Sequence, residues 1–469
     1  MDFFNVKQIS NVWGVPESKV TRLARIGKIP GAKKQGNSWL IPVNASLPAD
    51  GRSKRNDSAL GSSSIRVTEN LSFTPIGAQQ KVCSAFKGKY GKKPKGLMFI
   101  PYRICPLGAH VDHNLGKIVG FAIDKGIHMA YAEKQNGVVE IASLQFPKRA
   151  QWHILSTPAT KQNDWADPLR GATIALAKRY PLRIGMSAVI DGELPIGGLS
   201  SSAAVIITFL SVLCKLNTIK LTEKELILIA QEAENKYVGV SCGKMDQSCE
   251  IYCRKDKLLY LDNKNDHYSL IDFPIKKKTF TFMILFSGVE RSLAGSKFNM
   301  RVDEARSAAY ALMAFSGMDY GKFEDACLRD VPFEIYEEYK HQLPDNWRKR
   351  AEHFYTENQR VEQGVLAWAK GDIKAFGKLV FESGKSSIEN WETGSKELIT
   401  LYEIMKETEG VYGGRFSGAG FKGCCMAIVD TKRVDQITKK ITKEYLQVFP
   451  HLEGKFSVHI CESSDGVKL

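Results

Sequence analysis

The sequence has no apolar run near the ~20 residues that a membrane-spanning helix needs, and its ten cysteines include no C-x-x-C pair. The first residues also lack the pattern of a secretory signal peptide. These absences argue against a membrane protein, a zinc ribbon and a disulfide-stapled secreted domain. We therefore expect a cytoplasmic protein with free thiols.

Two common signatures of phosphate chemistry are missing as well. The glycine-rich loops are not followed by the Gly-Lys-Ser/Thr of a Walker A site, and neither His-Arg-Asp nor Asp-Phe-Gly of a protein kinase occurs. The bulk composition is that of a globular protein, with 43% hydrophobic and 25% charged residues in 469. This length suffices for two or three domains.

The positive charge is concentrated at the N-terminus. Residues 1–60 hold ten Lys/Arg against four Asp/Glu, which makes +6 of the formal net charge of +15. A basic excess of this density suggests a polyanionic partner. The smaller bias of the remaining chain suits an enzyme that handles ATP and acidic sugars.

Residues 1–48 are expected to form a domain of their own. Asn5 can cap a short helix, Pro16 begins a second helix, and a basic hairpin turns at Gly36. This order is typical of a winged helix-turn-helix, and the segment resembles the excisionase and MerR-like DNA-binding domains. The alternative is a solvated basic face on a protein-interaction domain. On the first interpretation the DNA-contacting residues are Ser18, Arg22 and Arg25 on the second helix, and Lys33 and Lys34 on the hairpin.

The next segment, residues 49–70, is polar and nearly free of apolar side chains, which predicts a flexible linker. From residue 71 onward, strands and helices alternate. The clearest predicted elements are strands at Leu97–Tyr102, Val119–Ala132 and Val138–Leu144, and helices at Leu199–Leu216 and Thr222–Tyr237.

A glycine- and serine-rich helix start at Leu194–Ala204 is the strongest motif. Its glycines let the backbone approach a ligand closely, and the free N–H groups of a helix start favour phosphate oxygens. Serine hydroxyls can donate to phosphate or ligate Mg²⁺. A simple cap needs one hydroxyl rather than three, so the motif indicates a phosphate site.

Three further motifs carry polar residues. Pro101–Asn114 is an apolar strand that runs into a loop with side chains suited to a polyol, and Gly239–Gln247 ends in an acidic residue. Glu234 lies beside the apolar stripe of the preceding helix, which indicates either a metal ligand or a buried ion pair. Gly413–Cys424 contains five glycines in twelve residues, which suits a loop over phosphates.

In this order the four motifs resemble those of the GHMP kinases, and in particular their galactokinase branch. The resemblance covers about residues 71–469. Within the branch, the runs Pro101–His110, Lys349–Asn358, Ser386–Asn390 and Gly414–Cys425 are most similar to the galacturonokinases of plants.

The resemblance implies a role for each matching residue. Asp246 would act on the reacting hydroxyl with Arg103 orienting it, and Ser202 and Glu234 would hold Mg²⁺. The remaining positions are the sugar-binding His110, Asp112, Ala109 and Arg291, and the ATP-binding Gly197, Gly198, Leu199, Ser200, Ser201, Gly418, Ala419 and Gly420.

Three positions depart from the branch. The loop at Pro195–Leu199 is one residue shorter than usual, Ala109 replaces a glutamate, and Phe298 replaces a sugar-contacting tyrosine. The shorter loop could shift the phosphate contacts, and Phe298 removes one hydroxyl contact.

We therefore expect an α+β fold: a winged helix-turn-helix at 1–48, a linker, and GHMP kinase domains at 71–270 and 271–469. The implied function is an ATP- and Mg²⁺-dependent sugar 1-kinase acting on galacturonate. The alternatives are a galactokinase, and a transcription regulator that uses the kinase fold as a sugar sensor.

Overall fold

A computed structural model describes residues 3–13, 15–36, 38–42, 45, 48, 77–195, 197–199, 201–275, 278–289 and 296–467. The predicted linker at 49–70 and the predicted site residues Ser200 and Arg291 lie outside these ranges. No described helix has the length and apolar character needed to cross a membrane.

The strands are β1 (Phe3–Asn5), β2 (Lys33–Gln35), β3 (Ser38–Pro42), β4 (Gly96–Leu107), β5 (Lys117–Lys134), β6 (Val138–Ser143), β7 (Ala150–His153), β8 (Gly185–Gly192), β9 (Lys257–Asp262), β10 (His267–Asp272), β11 (Phe280–Phe286), β12 (Val411–Phe416), β13 (Cys424–Asp430), β14 (Ser457–Cys461) and β15 (Ser463–Ser464).

The helices are α1 (Val6–Trp13), α2 (Glu17–Arg25), α3 (Ala78–Tyr90), α4 (Asp167–Ala177), α5 (Ser201–Leu216), α6 (Glu223–Glu232), α7 (Met245–Tyr252), α8 (Ser296–Phe315), α9 (Phe333–Tyr339), α10 (Asp345–Ala369), α11 (Ile373–Glu389), α12 (Lys396–Lys406) and α13 (Val434–Val448).

The N-terminal segment folds as two helices beside a small antiparallel sheet of order β1-β3-β2. The predicted cap is confirmed, because Asn5 Oδ1 accepts the Gln8 N–H at 2.9 Å and Gln8 Oε1 accepts the Asn5 N–H at 3.0 Å. Both helices and the hairpin are where the sequence predicts them, whereas β1 was not expected. These elements alone do not identify a DNA-binding domain.

The largest sheet is mostly antiparallel and has the order β10-β9-β5-β8-β6-β7, with β4 and β15 also paired to β5. Its organising element is β5, whose 18 residues are buried along most of their length. Helix α5 is apolar on nearly every side because it packs against β4 and β5 of the sheet and also against helices α4, α6 and α7. The capping box predicted at Thr222 is confirmed at the start of α6. Beyond α6 the helix widens into a π-helical turn at Ala233–Val238.

A second sheet has the order β12-β13-β11-β14 and is antiparallel throughout. Helices α12 and α13 cover it with the apolar side chains of Leu398, Leu401 and Ile441, among others. Helix α11 approaches β12 so closely that a Cβ atom at Gly377 would lie 2.0 Å from the Tyr412 carbonyl oxygen. Glycine is therefore required where this helix crosses the strand.

The two sheets are joined by the last strands. Only Glu462 separates β14, in the second sheet, from β15, which pairs with β5 in the first through Ser463 and Ser464. The chain also passes from the first sheet to the second between β10 and β11. The domain limits given above stay predictions, but this architecture matches the expected combination of helices with mostly antiparallel sheets.

Candidate active site

A buried ion pair joins the first and third motifs. Arg103 projects from β4, and its Nε and Nη2 atoms lie 2.8 and 2.7 Å from Oδ1 of Asp246, in the first turn of α7. The arginine side chain is 2% exposed and the aspartate side chain is 25% exposed. Although burial opposes the charge of the guanidinium, Asp246 raises the pKa of Arg103 above its ordinary value. The carboxylate is thus fixed by a permanent cation while part of it remains accessible.

The same guanidinium reaches the two glycine-rich loops. Arg103 Nη1 lies 3.4 Å from the carbonyl oxygen of Gly198 and 3.5 Å from Oγ of Ser417. One side chain therefore contacts the predicted catalytic aspartate, the loop before α5 and the loop between β12 and β13.

The two glycine loops also touch each other. Gly198 and Gly418 have φ angles of +85° and +69°. A Cβ atom at Gly198 would lie 2.9 Å from the Ser417 carbonyl oxygen, and one at Gly418 would lie 2.8 Å from Gly198 Cα. Both positions therefore require glycine, for conformation and for space. The contact brings Gly197, Gly198 and Leu199 beside Gly418, Ala419 and Gly420, at the end where Ser201 begins α5.

The loop after β4 supplies the polar residues expected for a sugar. Asp112 begins a short 3₁₀ helix, and its Oδ2 accepts the Met245 N–H at 3.1 Å, next to Asp246. A Cβ atom at Gly243 would lie 2.4 Å from the same Oδ2 atom, so glycine is needed there too. Burial, reinforced by the charge of Asp246, raises the pKa of Asp112 to about 6. The first and third motifs thus meet at Asp112 as well as at Arg103.

His110 and Ala109 are held by α10 and by the segment after α11. The His110 ring stacks on Trp391 at 5.2 Å between centroids, with planes 6° apart. His353 Nε2 lies 2.9 Å from the Ala109 carbonyl oxygen, and its Nδ1 lies 2.9 Å from Ser386 Oγ. Since a carbonyl only accepts, Nε2 of His353 carries the proton and Nδ1 accepts from the serine.

Behind this loop lies a buried charged cluster that the sequence did not reveal. Glu357 and Arg415 are both fully buried, and Glu357 accepts the Gly108 N–H at 2.8 Å and the Arg360 Nε–H at 2.7 Å. Arg415 also donates to Ser383 and to Ser387. One sequence signal for this cluster was available. His353 and Glu357 are four residues apart, and this spacing places both on one face of α10. The cluster anchors the loop that carries Ala109 and His110.

The predicted metal ligands lie on two different elements, α5 and the π-helical turn that follows α6. Ser202 is half-buried in the first turn of α5, and Glu234 is buried in the π-helical turn, a feature that often marks functional positions. Glu234 Oε2 accepts from Gln247 Nε2 at 2.5 Å and from Cys242 Sγ at 3.7 Å. A hydroxyl and a carboxylate are the hard oxygen ligands that suit Mg²⁺, so the donor types fit the ion.

If Glu234 holds Mg²⁺, Glu234→Gln will raise the Mg²⁺ concentration needed for half-maximal activity by about tenfold or more, since outer-shell changes alone cost 10- to 100-fold. The nearly isosteric amide should leave the melting temperature unchanged. The measurement is a Mg²⁺ titration of initial rates. Glu232→Gln is the matched control. Glu232 lies two residues before Glu234, and its side chain forms ion pairs with Lys178 and Arg179. An unchanged Mg²⁺ requirement would make Glu234 structural.

A second buried carboxyl, Glu250, lies one turn after Asp246 on α7. It is fully buried, and among the described residues neither of its side-chain oxygens has a hydrogen-bond partner. Burial, followed by the negative charge of Asp246, raises the pKa of Glu250 well above its ordinary value. The folded protein therefore keeps Glu250 protonated at a pH where the unfolded chain has released the proton.

This retained proton makes stability fall as the pH rises above the ordinary glutamate value near 4.5. The maximal slope for one proton is about 1.4 kcal/mol per pH unit. Glu250→Gln has no proton to release at this position. The free energy of unfolding of the variant, compared with that of wild type, should therefore rise between pH 5.5 and 7.5, by at most about 2.7 kcal/mol. Urea unfolding at both pH values measures it, with the exposed Glu453→Gln as control. Parallel curves for the two proteins would contradict the assignment.

Comparisons with known proteins agree with the motif order. The profile described as GHMP kinases N terminal domain matches residues 168–254, and the one described as GHMP kinases C terminal matches residues 365–447. A galacturonokinase of Arabidopsis thaliana is 36% identical over 397 residues, which cover 80% of this chain and 93% of that protein.

A galactokinase of Roseiflexus sp. (strain RS-1) is 30% identical over 384 residues, covering 81% of this chain and 95% of the relative. Among solved structures, Lactococcus lactis galactokinase complexed with galactose is similar with a TM-score of 0.75 and 26% identity, over 82% of this chain and 98% of that one.

Proposed function

Since the chain belongs to the GHMP kinase family, as an ATP-dependent sugar kinase of its galactokinase-like branch, we propose that it phosphorylates galacturonate at the anomeric oxygen. The carrying observation is that Arg103 contacts Asp246, Gly198 and Ser417 at once. A single cation thus links the carboxylate proposed for the acceptor hydroxyl to both loops proposed for the phosphates.

The chemistry assigned to the residues follows from their surroundings. Asp246 takes the proton of the acceptor hydroxyl, and Arg103 orients its carboxylate and offsets charge. The backbone of the two glycine loops and the start of α5 hold the triphosphate, since phosphoryl transfer depends on positioning and charge neutralisation. Ser202 and Glu234 would hold Mg²⁺, which when bound would supply charge neutralisation for the phosphate oxygens.

The preference for galacturonate is inferred from Ala109. The galactokinase pattern has a glutamate there, facing the 6-hydroxyl of the sugar. Galacturonate carries a carboxylate at that carbon, and two carboxylates ~4 Å apart repel by about 1 kcal/mol in water and about 4 kcal/mol at an effective dielectric near 20. Ala109 is buried and uncharged, which removes the repulsion. The 36% identity with a galacturonokinase, against 30–32% with several galactokinases, supports the same substrate.

Ala109→Glu should therefore lower kcat/KM for galacturonate relative to galactose by about fivefold to several hundredfold. Because Ala109 is buried, a larger side chain acts by size as well as by charge. Ala109→Gln is the matched control, since it adds the same volume without the charge. The prediction holds if Ala109→Glu lowers the ratio of kcat/KM for galacturonate to kcat/KM for galactose much more than Ala109→Gln does. A wild-type enzyme that prefers galactose by tenfold or more would refute the interpretation of position 109.

The direct test of substrate and reaction is a coupled ADP-release assay with galacturonate, galactose, glucuronate and N-acetylgalactosamine. Preferential turnover of galactose would favour the galactokinase alternative. No turnover of any sugar, together with sugar binding, would favour the sensor alternative. Against the sensor stand Asp246, Arg103 and Glu234, which a binding protein has no need to keep.

For the N-terminal segment we propose weak duplex-DNA binding. Ser18 and Arg25 are exposed along α2, and Lys33 and Lys34 are exposed on β2, so most of the predicted basic face is presented to solvent. Lys33 Nζ additionally lies 5.3 Å from the centre of the Phe3 ring. Arg22 completes the face at helical spacing.

The full chain should shift duplex DNA at low salt and lose most of this binding as salt rises. Arg25→Ala with Lys34→Ala should weaken the shift, whereas Lys89→Ala, an exposed lysine on α3, should not. No shift on any duplex at low salt would count against DNA binding, and capture of a protein partner alone would favour the interaction-domain alternative.

A further inference from the structure

A group of buried ring nitrogens beside Ala109 has no hydrogen-bond partner among the described residues. The atoms are Nε2 of His110, Nδ1 and Nε2 of His113, and Nε1 of Trp391. The His113 side chain is 4% exposed, while His110 and Trp391 are 6% and 1% exposed. An unpaired buried donor costs about 1–3 kcal/mol, and such groups are rare in native proteins. Several of them in one place indicate a bound ligand.

These rings surround one location. Trp391 lies 5.2 Å from the His110 centroid and 5.5 Å from that of His113. Phe298 lies 6.3 and 6.1 Å from the same two rings. Phe298 is half-buried, whereas the other rings of the group are buried. It is also the position at which the galactokinase branch has its sugar-contacting tyrosine.

Trp391 is fixed in place by contacts that do not use its ring nitrogen. Its backbone N–H donates to the Ser386 carbonyl at 3.0 Å, and its carbonyl accepts from Arg301 Nε at 3.1 Å. The Arg350 guanidinium lies 6.0 Å from the centre of the Trp391 ring. Because the ring is held in place, its N–H group is preorganised. The indole nitrogen can only donate a hydrogen bond.

The histidines are neutral, and charges of both signs lie near them: arginines act on both rings, and Asp112 Oδ1 lies 3.9 Å from Nδ1 of His113. Burial, followed by Arg306 and His353, lowers the pKa of His113 to about 3. Burial and Arg415 lower that of His110 well below its ordinary value. Arginines that disfavour a proton on these rings favour an anion beside them for the same electrostatic reason. Each neutral ring still offers one N–H donor.

Three cations in the described part of this region already have carboxylate partners. Lys244, in the third motif, forms an ion pair with Asp266. Arg306 pairs with Asp303 at 3.2 Å, and Arg350 pairs with Glu304 at 2.6 Å. Among the described residues, which do not include Arg291, recognition of a substrate anion here would therefore fall to neutral N–H donors.

We propose that His113 and Trp391 donate their ring N–H groups to the carboxylate of a uronic acid substrate, and that this pair determines the preference for an acid over a neutral hexose. The inference rests on the sugar kinase function proposed above and adds two residues to which the motif resemblance gave no role. A charged acceptor is favoured over a hydroxyl because hydrogen bonds to ionised groups are about twice as strong as neutral ones.

The test measures kcat/KM of Trp391→Phe and His113→Phe with galacturonate, with its methyl ester and with galactose. Phenylalanine keeps a ring in place and removes the nitrogens. Each variant should lose about 10- to 100-fold on galacturonate. The loss on the neutral methyl ester and on galactose should be at least fivefold smaller. Trp165→Phe is the control, since its indole donates to the Lys148 carbonyl.

The possible failures are distinguishable. If wild type phosphorylates galacturonate but both variants lose all three substrates equally, the rings are structural and the inference is wrong. If wild type prefers galactose, the proposed substrate itself is wrong. Should a variant unfold, the melting temperature will reveal it, and Trp391→His, which restores a ring N–H, should then recover the preference for galacturonate. Failure of that recovery overturns the assignment to Trp391.

Discussion

Asp246→Asn will reduce kcat by about 10²- to 10⁴-fold, the usual contribution of a positioned proton acceptor. The amide keeps the size of the side chain but cannot take the proton of the acceptor hydroxyl. ATP affinity should change little, because Asp246 is assigned to the sugar and not to the phosphates. Single-turnover kinetics and a nucleotide-binding titration separate the two quantities.

In this variant Arg103 loses its ionic partner. The control must therefore show what breaking an ion pair does by itself. Asp266→Asn also breaks ion pairs, with Lys224 and Lys244, but at partly exposed positions outside the proposed chemistry. It should retain most of the turnover. Thermal unfolding of both variants shows whether the loss reflects chemistry or folding. Turnover near the wild-type rate in Asp246→Asn would remove this residue from the mechanism.

Glu357→Gln will lower the free energy of unfolding by about 3–5 kcal/mol, since it leaves the buried guanidinium of Arg415 without its carboxylate. Burial works against the charge of Glu357, but Arg360, His353 and Arg415 outweigh it and hold its pKa at about 2. A lowered pKa stabilises the fold above the ordinary value of 4.5, and this contribution is lost as the pH falls from there towards 2. Urea unfolding at pH 7 and at pH 4 measures both effects.

The matched control is Glu362→Gln on the same helix, where the carboxylate pairs with the partly exposed Lys117. It should cost at most about 1 kcal/mol. In the double variant with Arg415→Met, much of the Glu357→Gln loss should disappear, because no buried charge remains unpaired. Additive losses in the double variant would mean that the two residues stabilise the fold independently.

Local sequence signals located much of this fold. The start of α5, the capping box of α6 and the hairpin at Gly36 depend on neighbouring residues, and each lies where its pattern predicts. β5 exceeds its predicted span because pairing with several strands extends it. The π-helical turn at Ala233–Val238 could not be predicted, since its apolar spacing is also that of an ordinary helix.

Some residues of the candidate site could be predicted from local motifs, whereas others could not. The motifs supply Arg103, Asp112 and Asp246, because glycine and serine patterns mark ligand loops on their own. Glu357 and Trp391 were missed because their neighbours in space are distant in sequence: Gly108 N–H reaches Glu357 across 249 positions. A carboxylate in the middle of α10 is indistinguishable, in sequence, from one that faces solvent.

The strand β15 sets an order of events during synthesis. Glu462 and Asp124 are hydrogen-bonded across 338 positions, and Val467 N–H donates to the Glu250 carbonyl on α7. A nascent chain can form β4, β5 and α5 early, but the edge of that sheet and the support behind α7 wait until translation reaches residue 467. Contacts of such separation slow folding. Growing chains that already carry every proposed catalytic side chain would therefore remain inactive until residues 462–467 have been added.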